Sequence, residues 1–390
     1  MNKVAALSED SRMSRVRARY FMLVAVAILA ALTGCGAQGA SALHSPPQPT
    51  PTLRVPTPTP APPVGITVQG TRFASQGRVV TLVGVNHSSL EYSCAGDGHF
   101  TPADFQAMRG WGMNVVRIPL SSEYWANAGA DCPGYRATVC QAVANARAAH
   151  LFVILDLQWS APFDSQADRT RGGVQCPLPD AGKDVAFWQD LATLYRNDTG
   201  VLFDLFGEPF LISWSTWLNG GTITSGCYVI GGPSLQEEPG TYQAIGMRAL
   251  VARVRELAPD NVIILGGTNW GYDLSGIPQG FALQGTNLAY DTHPFDYAGK
   301  EPGDWPSAVD AAARQYPVIA GEFGSYTCGT DYIAQAISYF NAHHISWLAW
   351  TWGPYSCGTP SLLAAWPDVP SVPYGSYIKQ QMLQLSARGT

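Results

Sequence analysis

The chain has 390 residues, of which only 13% are charged, against about 25% in an ordinary soluble protein, and it carries 12 Trp and 17 Tyr. This composition excludes a disordered chain, which would be rich in charge and poor in aromatic residues, and the net charge of −6 argues against a nucleic-acid-binding protein. Only one apolar run approaches the length of a membrane span, so a protein with several spans is excluded. A globular protein for a neutral polar ligand that stacks on aromatic rings, such as a sugar, fits what remains.

The N-terminal segment has the pattern of an export signal. Residues 21–34, FMLVAVAILAALTG, form an apolar run behind four arginines, and this run is short for a membrane span but typical of a signal peptide. It ends in Leu32-Thr33-Gly34-Cys35, which resembles a bacterial lipobox, so we predict cleavage before Cys35 and lipid attachment to that cysteine. An ordinary signal peptide with a chance cysteine is the alternative, and Met13 is an alternative start.

A proline-rich linker is predicted to follow. Residues 41–64 contain nine prolines, which favour the extended polyproline II conformation and make a semi-rigid spacer. We therefore divide the chain into a signal peptide with a lipobox-like end (1–35), a Pro/Thr-rich linker (36–64) and one domain (65–390). We expect this domain to be exported and tethered to the bacterial cell membrane as a lipoprotein, or otherwise secreted.

Seven cysteines lie in the domain, and an exported protein is expected to form disulfides. An odd number leaves at least one cysteine free or paired elsewhere. We predict that Cys94 pairs with Cys132 and Cys328 with Cys357, because each pair would fall on neighbouring loops, and that Cys140 is a buried free thiol in a helix. A four-cysteine zinc site is the alternative, although no C-x2-C spacing supports it.

The domain alternates between short apolar runs and segments with helical periodicity. We predict strands at 79–85, 113–118, 151–157, 201–206, 261–265, 288–291, 317–320 and 345–349, and helices that include 101–109, 140–149, 242–257 and 330–343. Apolar strands that each lead into a helix predict a buried parallel sheet, and eight such units predict the α/β class and a (β/α)8 TIM barrel. Residues 66–79 are predicted to form a hairpin that caps the N-terminal end of the barrel.

Functional residues of such a barrel lie at the carboxyl ends of its strands. The polar and aromatic residues at predicted strand ends are Arg117, Gln158, Trp159, Glu208, His293, Glu322 and Trp350. Two carboxylates in one cavity suit the cleavage of a glycosidic bond, since one donates a proton to the leaving oxygen and the other attacks the anomeric carbon. We expect Arg117 to keep Glu322 ionised, and desolvation beside that negative charge to keep Glu208 protonated. Trp350 offers a flat face for a sugar ring.

An ordered set of motifs resembles glycoside hydrolase family 5, the cellulase family of clan A. The motifs are GVNHSSLEY (84–92), NVVRIPL (114–120), VILDLQWSAP (153–162), FDLFGEP (203–209), GGTNW (266–270), the segment around His293, GEFG (321–324) and SWLAWTW (346–352). The resemblance implies a retaining mechanism with Glu208 as acid/base and Glu322 as nucleophile. Arg117, His293 and Trp350 fall where the family keeps an arginine, a histidine and a substrate-stacking tryptophan. The predicted substrate-binding set also includes Gln158, Trp159 and Asn269.

Three positions depart from the family pattern. Gly207 replaces an asparagine that normally contacts the sugar 2-hydroxyl, Gln158 replaces a histidine, and Phe295 replaces a tyrosine that normally donates to the nucleophile. One lost transition-state hydrogen bond costs about 3 kcal/mol, or roughly a hundredfold in rate. Two hypotheses follow. The first is a retaining cellulase-like endo-β-1,4-glucanase, or a hydrolase of the same kind with β-mannanase-type specificity. The alternative is a surface carbohydrate-binding protein on a weakened hydrolase barrel.

The remaining expectations concern other ligands and the mode of action. We expect no cofactor, no metal, no nucleic acid partner and a monomeric protein. The sequence leaves the β-glycan open, and it leaves endo or exo action to the conformation of the loop 211–239.

Overall fold

The computed structural model describes residues 64–163, 172–229 and 236–388. The predicted signal peptide, the predicted lipidation site Cys35 and nearly all of the linker lie outside these residues. In the described ranges, no helix combines the length and the apolar character that crossing a membrane requires.

Eight parallel strands close into a barrel, which confirms the predicted (β/α)8 fold. In chain order they are β1 (Val83–Asn86), β2 (Val115–Ser121), β3 (Phe152–Trp159), β4 (Val201–Asp204), β5 (Ile263–Gly266), β6 (Leu288–Asp291), β7 (Val318–Phe323) and β8 (Ser346–Ala349). Each strand pairs in parallel with its neighbours in the chain, and β8 pairs with β1 to complete the circle.

Helices cover the outside of the barrel and follow nearly every strand. In the described part of the chain they are Pro102–Gly110, Ser122–Ala126, Tyr135–Ala148, Lys183–Tyr195, Trp214–Asn219, Met247–Leu257, Ala311–Ala313, Asp331–Ala342 and Tyr374–Ala387. The helix Ala311–Ala313 continues a π-helical turn, Pro306–Asp310, and β5 is followed by a short 3-10 helix, Ile277–Gln279.

One predicted helix, 242–257, is wrong over its first residues. Tyr242–Ile245 is a strand that pairs with Gly220–Ile223, and the helix begins only at Met247. The reason is local: Tyr242 and Ala244 are buried whereas Gln243 is exposed, which is the two-residue alternation of a strand. The segment between β4 and the helix Met247–Leu257 therefore carries its own short strands.

The predicted strand 79–85 is divided between two structures. Its first residues belong to Arg78–Val80, the third strand of a small antiparallel sheet with Thr67–Gln69 and Arg72–Ser75, and the rest belongs to β1. The predicted capping hairpin thus has three strands. Ile66 and Phe73 are buried in one cluster with the lowest inward-facing residues of the barrel.

The barrel interior changes from apolar to polar within two residues along β2, β3 and β4. Its lower layer is a buried apolar cluster that includes Val115, Ile154 and Leu202. Because side chains two residues apart on a strand face the same side, the next inward-facing residues on these three strands are polar: Arg117, Asp156 and Asp204. Alternation therefore places a charged layer directly on an apolar one.

An irregularity in β7 changes which residue faces the cavity. The pairing register between β7 and β8 shifts between Ala320 and Phe323, as at a β-bulge. Phe323 packs outward, with its ring edge-on to Phe340 and Trp347 at centroid distances of 5.2 and 5.6 Å. The bulge lets Glu322 reach the polar interior, since regular alternation would not turn both Gly321 and Glu322 toward the cavity.

The two predicted disulfides are confirmed. Cys94 is bonded to Cys132, and Cys328 is bonded to Cys357.

A third disulfide was not predicted, and the predicted free thiol is wrong. Cys176 is bonded to Cys227, which joins the loop after β3 to the loop after β4. Cys140 is itself disulfide-bonded rather than free. It is also only half-buried, because it lies beside the buried face of the helix Tyr135–Ala148 and not within it.

Candidate functional site

Two glutamates and a histidine meet at the carboxyl end of the barrel. Glu322 lies within β7, Glu208 lies four residues beyond β4, and His293 lies two residues beyond β6. One side-chain ligand atom of each lies within 4.8 Å of those of the other two. The Nδ1 atom of His293 is 3.2 Å from Glu208 Oε1 and 3.9 Å from Glu322 Oε2. The structure thus brings together three residues that the sequence predicted as a site.

Arg117 connects this site to the charged layer beneath it. Its Nη1 lies 2.5 Å from Glu322 Oε1, its Nε 3.0 Å from Asp204 Oδ2 and its Nη2 3.0 Å from Asp156 Oδ2. Nη1 also donates to the amide oxygen of Asn86 at 2.9 Å. All of these side chains are buried. One guanidinium charge is therefore shared among three carboxylates, two of which the sequence analysis did not single out.

The protonation expected from the sequence does not match the structure. Burial raises the pKa of Glu322 above its ordinary value, the negative charge of Glu208 raises it further, and the positive charges of His293 and Arg117 compensate only in part. Burial alone would also raise the pKa of Glu208, but the hydrogen bond and charge of His293, with Lys300 nearby, lower it. In the free protein Glu208 is thus the more readily ionised of the two glutamates.

His293 is the positively charged neighbour of the pair. Burial alone would lower its pKa, yet the carboxylates of Glu322, Asp291 and Glu208 raise it well above its ordinary value. Its Nε2 lies 3.1 Å from Asp291 Oδ2, which fixes the ring so that Nδ1 faces Glu208. The ring can therefore hold a proton 3.2 Å from the carboxylate oxygen of Glu208.

Two glutamine side chains bind the other oxygen of Glu208. Gln158, a predicted site residue near the end of β3, donates from Nε2 to Glu208 Oε2 at 2.9 Å. Gln175, in the loop after β3, donates from Nε2 to the same oxygen. No sequence motif marked Gln175, because it enters the site through loop geometry.

Two further side chains near the glutamates were missed. Lys300 donates from Nζ to the carbonyl oxygens of Trp270 and His293 at 3.1 and 3.2 Å, and burial lowers its pKa to about 8. Tyr326 stacks on Phe295 with ring centroids 5.6 Å apart. Burial and the negative charges of Glu208 and Glu322 raise the pKa of Tyr326. A tyrosine from β7's loop thus approaches the site where Phe295 replaces the family tyrosine.

The three remaining predicted residues differ in their access to a ligand. Trp350 is half-buried directly after β8, where its backbone N donates to the carbonyl of Phe323 at 2.9 Å. Trp159 is only 7% exposed, so it offers little surface to a sugar ring. Asn269 is exposed in a turn with a φ of 56°, and its neighbour Trp270 makes the contact to the site by donating to the carbonyl of Pro209 at 2.9 Å.

The structure explains why glycine occupies position 207. A Cβ atom there would lie 2.3 Å from Arg117 Nη2, 2.7 Å from Gln158 Oε1 and 2.8 Å from Asp156 Oδ1. These are ends of side chains, but Arg117 is held in place by three ion pairs and cannot withdraw freely. The family asparagine therefore has no room in this chain.

We expect the substitution Gly207→Ala to destabilise the protein by about 1–3 kcal/mol, because overpacking shifts a buried network. Gly207→Asn should cost at least as much and should lower rather than raise any hydrolytic rate. Urea unfolding followed by tryptophan fluorescence measures the first effect, with Gly303→Ala as a matched control, since a Cβ at Gly303 meets nothing within 4 Å. A Gly207→Asn variant that is more active and equally stable would contradict this explanation.

Glu91 is a buried glutamate close enough to the site to feel the charge of Glu322. It accepts a hydrogen bond from the backbone N of Ser89 at 2.7 Å, and burial raises its pKa from 4.5 to about 8. The folded protein therefore keeps a proton on Glu91 that the unfolded chain releases above about pH 4.5.

Stability is accordingly expected to fall as the pH rises from about 5 to 8, by up to about 1.4 kcal/mol per pH unit from this one group. Glu91→Gln should remove that slope, because an amide stays neutral at every pH. Urea unfolding at several pH values measures it, with the exposed Glu256→Gln as the control. Identical slopes in the parent and in Glu91→Gln would show that Glu91 is not the group responsible.

The only group of described residues with metal-ligand spacing is Glu208, His293 and Glu322. Both oxygens of Glu208 already accept hydrogen bonds, and Nδ1 of His293 is one of the donors. His293 and Glu208 therefore form a hydrogen-bonded pair.

The fold and the site together define a class: a (β/α)8 barrel with two glutamates and a histidine at the carboxyl end, above a buried arginine. The chain belongs to the cellulase family, glycosyl hydrolase family 5, which matches residues 74–356. The resemblance predicted from the motifs is therefore confirmed.

Curated relatives agree with this family. The chain is 24% identical over 267 residues to endoglucanase C of Evansella cellulosilytica, covering 62% of this chain and 30% of that protein. It is 24% identical over 336 residues to a beta-mannanase/endoglucanase A of Caldicellulosiruptor saccharolyticus, covering 79% of this chain and 21% of the relative. The chain thus spans less than a third of either protein.

Solved structures share the fold. A beta-glucanase from Saccharophagus degradans superposes with a TM-score of 0.62 at 21% identity, covering 85% of this chain and 98% of that one. An endoglucanase catalytic domain from Thermobifida fusca superposes with a TM-score of 0.60 at 18% identity, covering 82% and 97% of the two chains.

Proposed function

We propose that this protein is a retaining glycoside hydrolase that cleaves a β-linked polysaccharide. The observation that supports this proposal most directly is the proximity of Glu208 and Glu322. One carboxylate oxygen of each lies within 4.8 Å of the other at the mouth of the barrel. Retaining enzymes hold their two carboxyl groups about 5–5.5 Å apart, whereas inverting enzymes leave about 6.5–9.5 Å for a water molecule. The separation supports direct attack by one carboxylate.

In the first step Glu322 attacks the anomeric carbon, the glycosidic C–O bond breaks, and Glu208 gives a proton to the leaving oxygen. In the second step a water molecule attacks the anomeric carbon, the bond from that carbon to Glu322 breaks, and Glu208 accepts a proton from the water, which restores both side chains. Arg117, at 2.5 Å, orients Glu322 for attack. Trp350, half-buried beside β8, offers its ring to the sugar.

The proton for the first step comes from the His293–Glu208 pair. In the free protein His293 holds it, since the surrounding carboxylates raise the pKa of this histidine while its positive charge lowers the pKa of Glu208. Transfer along the 3.2 Å contact from Nδ1 to Oε1 makes Glu208 the acid. The pair thus carries one mobile proton, and its apparent pKa belongs to both residues.

We propose a β-1,4-glucan as the substrate. A solved structure of the Saccharophagus degradans beta-glucanase holds cellotetraose, and this chain shares its fold. Mannan is the second candidate, because one relative is named a beta-mannanase/endoglucanase. Loss of the family asparagine at Gly207 and of the tyrosine at Phe295 changes contacts around the sugar, so the preferred sugar need not be that of a relative.

The test is a product profile of the purified domain, residues 65–390, on soluble β-glucans and mannans, with Glu208→Ala as the inactive control. We expect short oligosaccharides from a glucan, and a chromatographic time course shows whether internal or terminal bonds are cut. Oligosaccharide binding without turnover would overturn the proposal in favour of a surface carbohydrate-binding protein. A protein that shows no binding and no turnover would overturn both candidate functions.

We further propose that the domain 65–390 is exported and tethered through lipid on Cys35, with residues 36–64 as the spacer. The apolar run, the lipobox-like end and the nine prolines support this location. Mass spectrometry of the mature N-terminus should find a diacylglyceryl group on Cys35, and Cys35→Ser should release the protein from the membrane fraction. A mature N-terminus without lipid on Cys35, or a Cys35→Ser variant that stays in the membrane fraction, would overturn lipidation.

A further inference from the structure

Gln175 lies in the site, although it belongs to no sequence motif and is far from both glutamates along the chain. It is 5% exposed, and its Nε2 donates to Oε2 of Glu208. It belongs to the loop between β3 and the helix Lys183–Tyr195, outside any barrel strand.

The backbone of Gln175 is fixed from two sides. Its N donates to the carbonyl of Tyr228 at 2.9 Å, and the N of Tyr228 donates back to the carbonyl of Gln175 at 2.8 Å. The next residue, Cys176, is bonded to Cys227, and their Cα atoms are 4.1 Å apart. A loop residue held by two backbone hydrogen bonds and an adjacent disulfide keeps its side chain in a fixed position.

The contact acts on one oxygen of Glu208 in particular. Oε2 accepts from both Gln158 and Gln175, while Oε1 faces His293. Amide N–H groups can only donate, so both favour the ionised form of the carboxylate and keep the transferable proton on the Oε1 side. Oε1 is thereby left as the oxygen that exchanges a proton.

We propose that Gln175 is a positioning residue that holds Glu208 through Oε2, and that the Cys176–Cys227 disulfide keeps Gln175 in place. The inference rests on the proposed function of Glu208 as acid/base. Gln175 orients Oε1 toward His293 and toward the leaving oxygen, and it limits how tightly the His293–Glu208 pair holds its proton.

The test is the pH dependence of kcat/KM on a soluble β-glucan for Gln175→Leu and Gln175→Glu. The basic limb reports loss of the proton from the His293–Glu208 pair. Removing a donor to a carboxylate weakens its ionised form, so Gln175→Leu should move the basic limb upward by up to about one pH unit. Gln175→Glu places a like charge there and should move it further. The exposed Gln243→Leu, on a neighbouring strand, serves as the matched control.

The outcomes separate this inference from the proposed function. If the parent hydrolyses no glycan, the proposed function fails. If the parent is active and Gln175→Leu lowers the rate with an unmoved basic limb, Gln175 has only a structural role and the inference is overturned. The double variant Cys176→Ser/Cys227→Ser should reproduce part of the shift, whereas Cys328→Ser/Cys357→Ser should leave the limb in place; equal shifts in both would overturn the part assigned to the disulfide.

Discussion

Glu322→Gln is expected to lower the hydrolysis of soluble β-glucan by on the order of 10⁴-fold or more, as removal of a catalytic residue does in other enzymes. An amide has nearly the size of the carboxylate but cannot form the glycosyl-enzyme bond. The protein should remain folded, because the neutral amide removes one of the three negative charges that share the single positive charge of Arg117. Reducing-sugar release measures the rate, and Glu256→Gln, on an exposed helix face, is the matched control.

A chemical rescue distinguishes the two glutamates. With an activated aryl β-cellobioside and azide, Glu322→Ala should yield the α-glycosyl azide, because azide enters from the face that Glu322 has vacated. Glu208→Ala should yield the β-glycosyl azide, because azide then attacks the intermediate on Glu322. The opposite pair of products would exchange the two roles, and unchanged hydrolysis by Glu322→Gln would contradict the mechanism itself.

Arg117→Met is expected to destabilise the protein by about 3–5 kcal/mol at neutral pH, because it leaves buried carboxylates without their counter-charge. Burial already raises the pKa of Asp204 to about 7 and that of Asp156 well above its ordinary value, even with Arg117 present. Without the guanidinium these values rise further, so the folded variant retains protons that its unfolded chain releases. Its stability should therefore increase as the pH falls from about 7 to about 5.

Urea unfolding of Arg117→Met at both pH values measures this effect. Arg117→Lys keeps the charge but lacks the planar fork that reaches three carboxylates, so it should lose less stability and show a weaker pH dependence. The exposed Arg248→Met is the control. A loss of stability that is equal at both pH values would mean that packing rather than charge is responsible.

The barrel could be predicted from the sequence because its strands are continuous apolar runs separated by helical segments. The errors lie where local pattern and tertiary pairing differ. The run 79–85 reads as one strand, yet Arg78–Val80 pairs within the cap while β1 begins at Val83. Tyr242–Ile245 was assigned to a helix because the alternation of four residues is too short to stand out beside an amphipathic helix.

The site was predictable where residues end strands and not where loops deliver them. Glu208, His293 and Glu322 follow apolar runs, so barrel topology brings them together. Gln175 and Lys300 lie in loops whose course depends on the Cys176–Cys227 disulfide and on contacts with Trp270. Protonation was not predictable either, because it depends on how many carboxylates share Arg117, and Asp156 and Asp204 resemble ordinary strand residues in the sequence.

The two-residue step from apolar to charged layer restricts how this barrel can diverge. A single inserted or deleted residue inside β2, β3 or β4 would reverse the facing of every later residue in that strand, which would turn Arg117, Asp156 or Asp204 toward the helices. Insertions and deletions in homologous chains should therefore be confined to the loops. New substrate preferences can then evolve by changing loop length while the charged layer keeps its spacing.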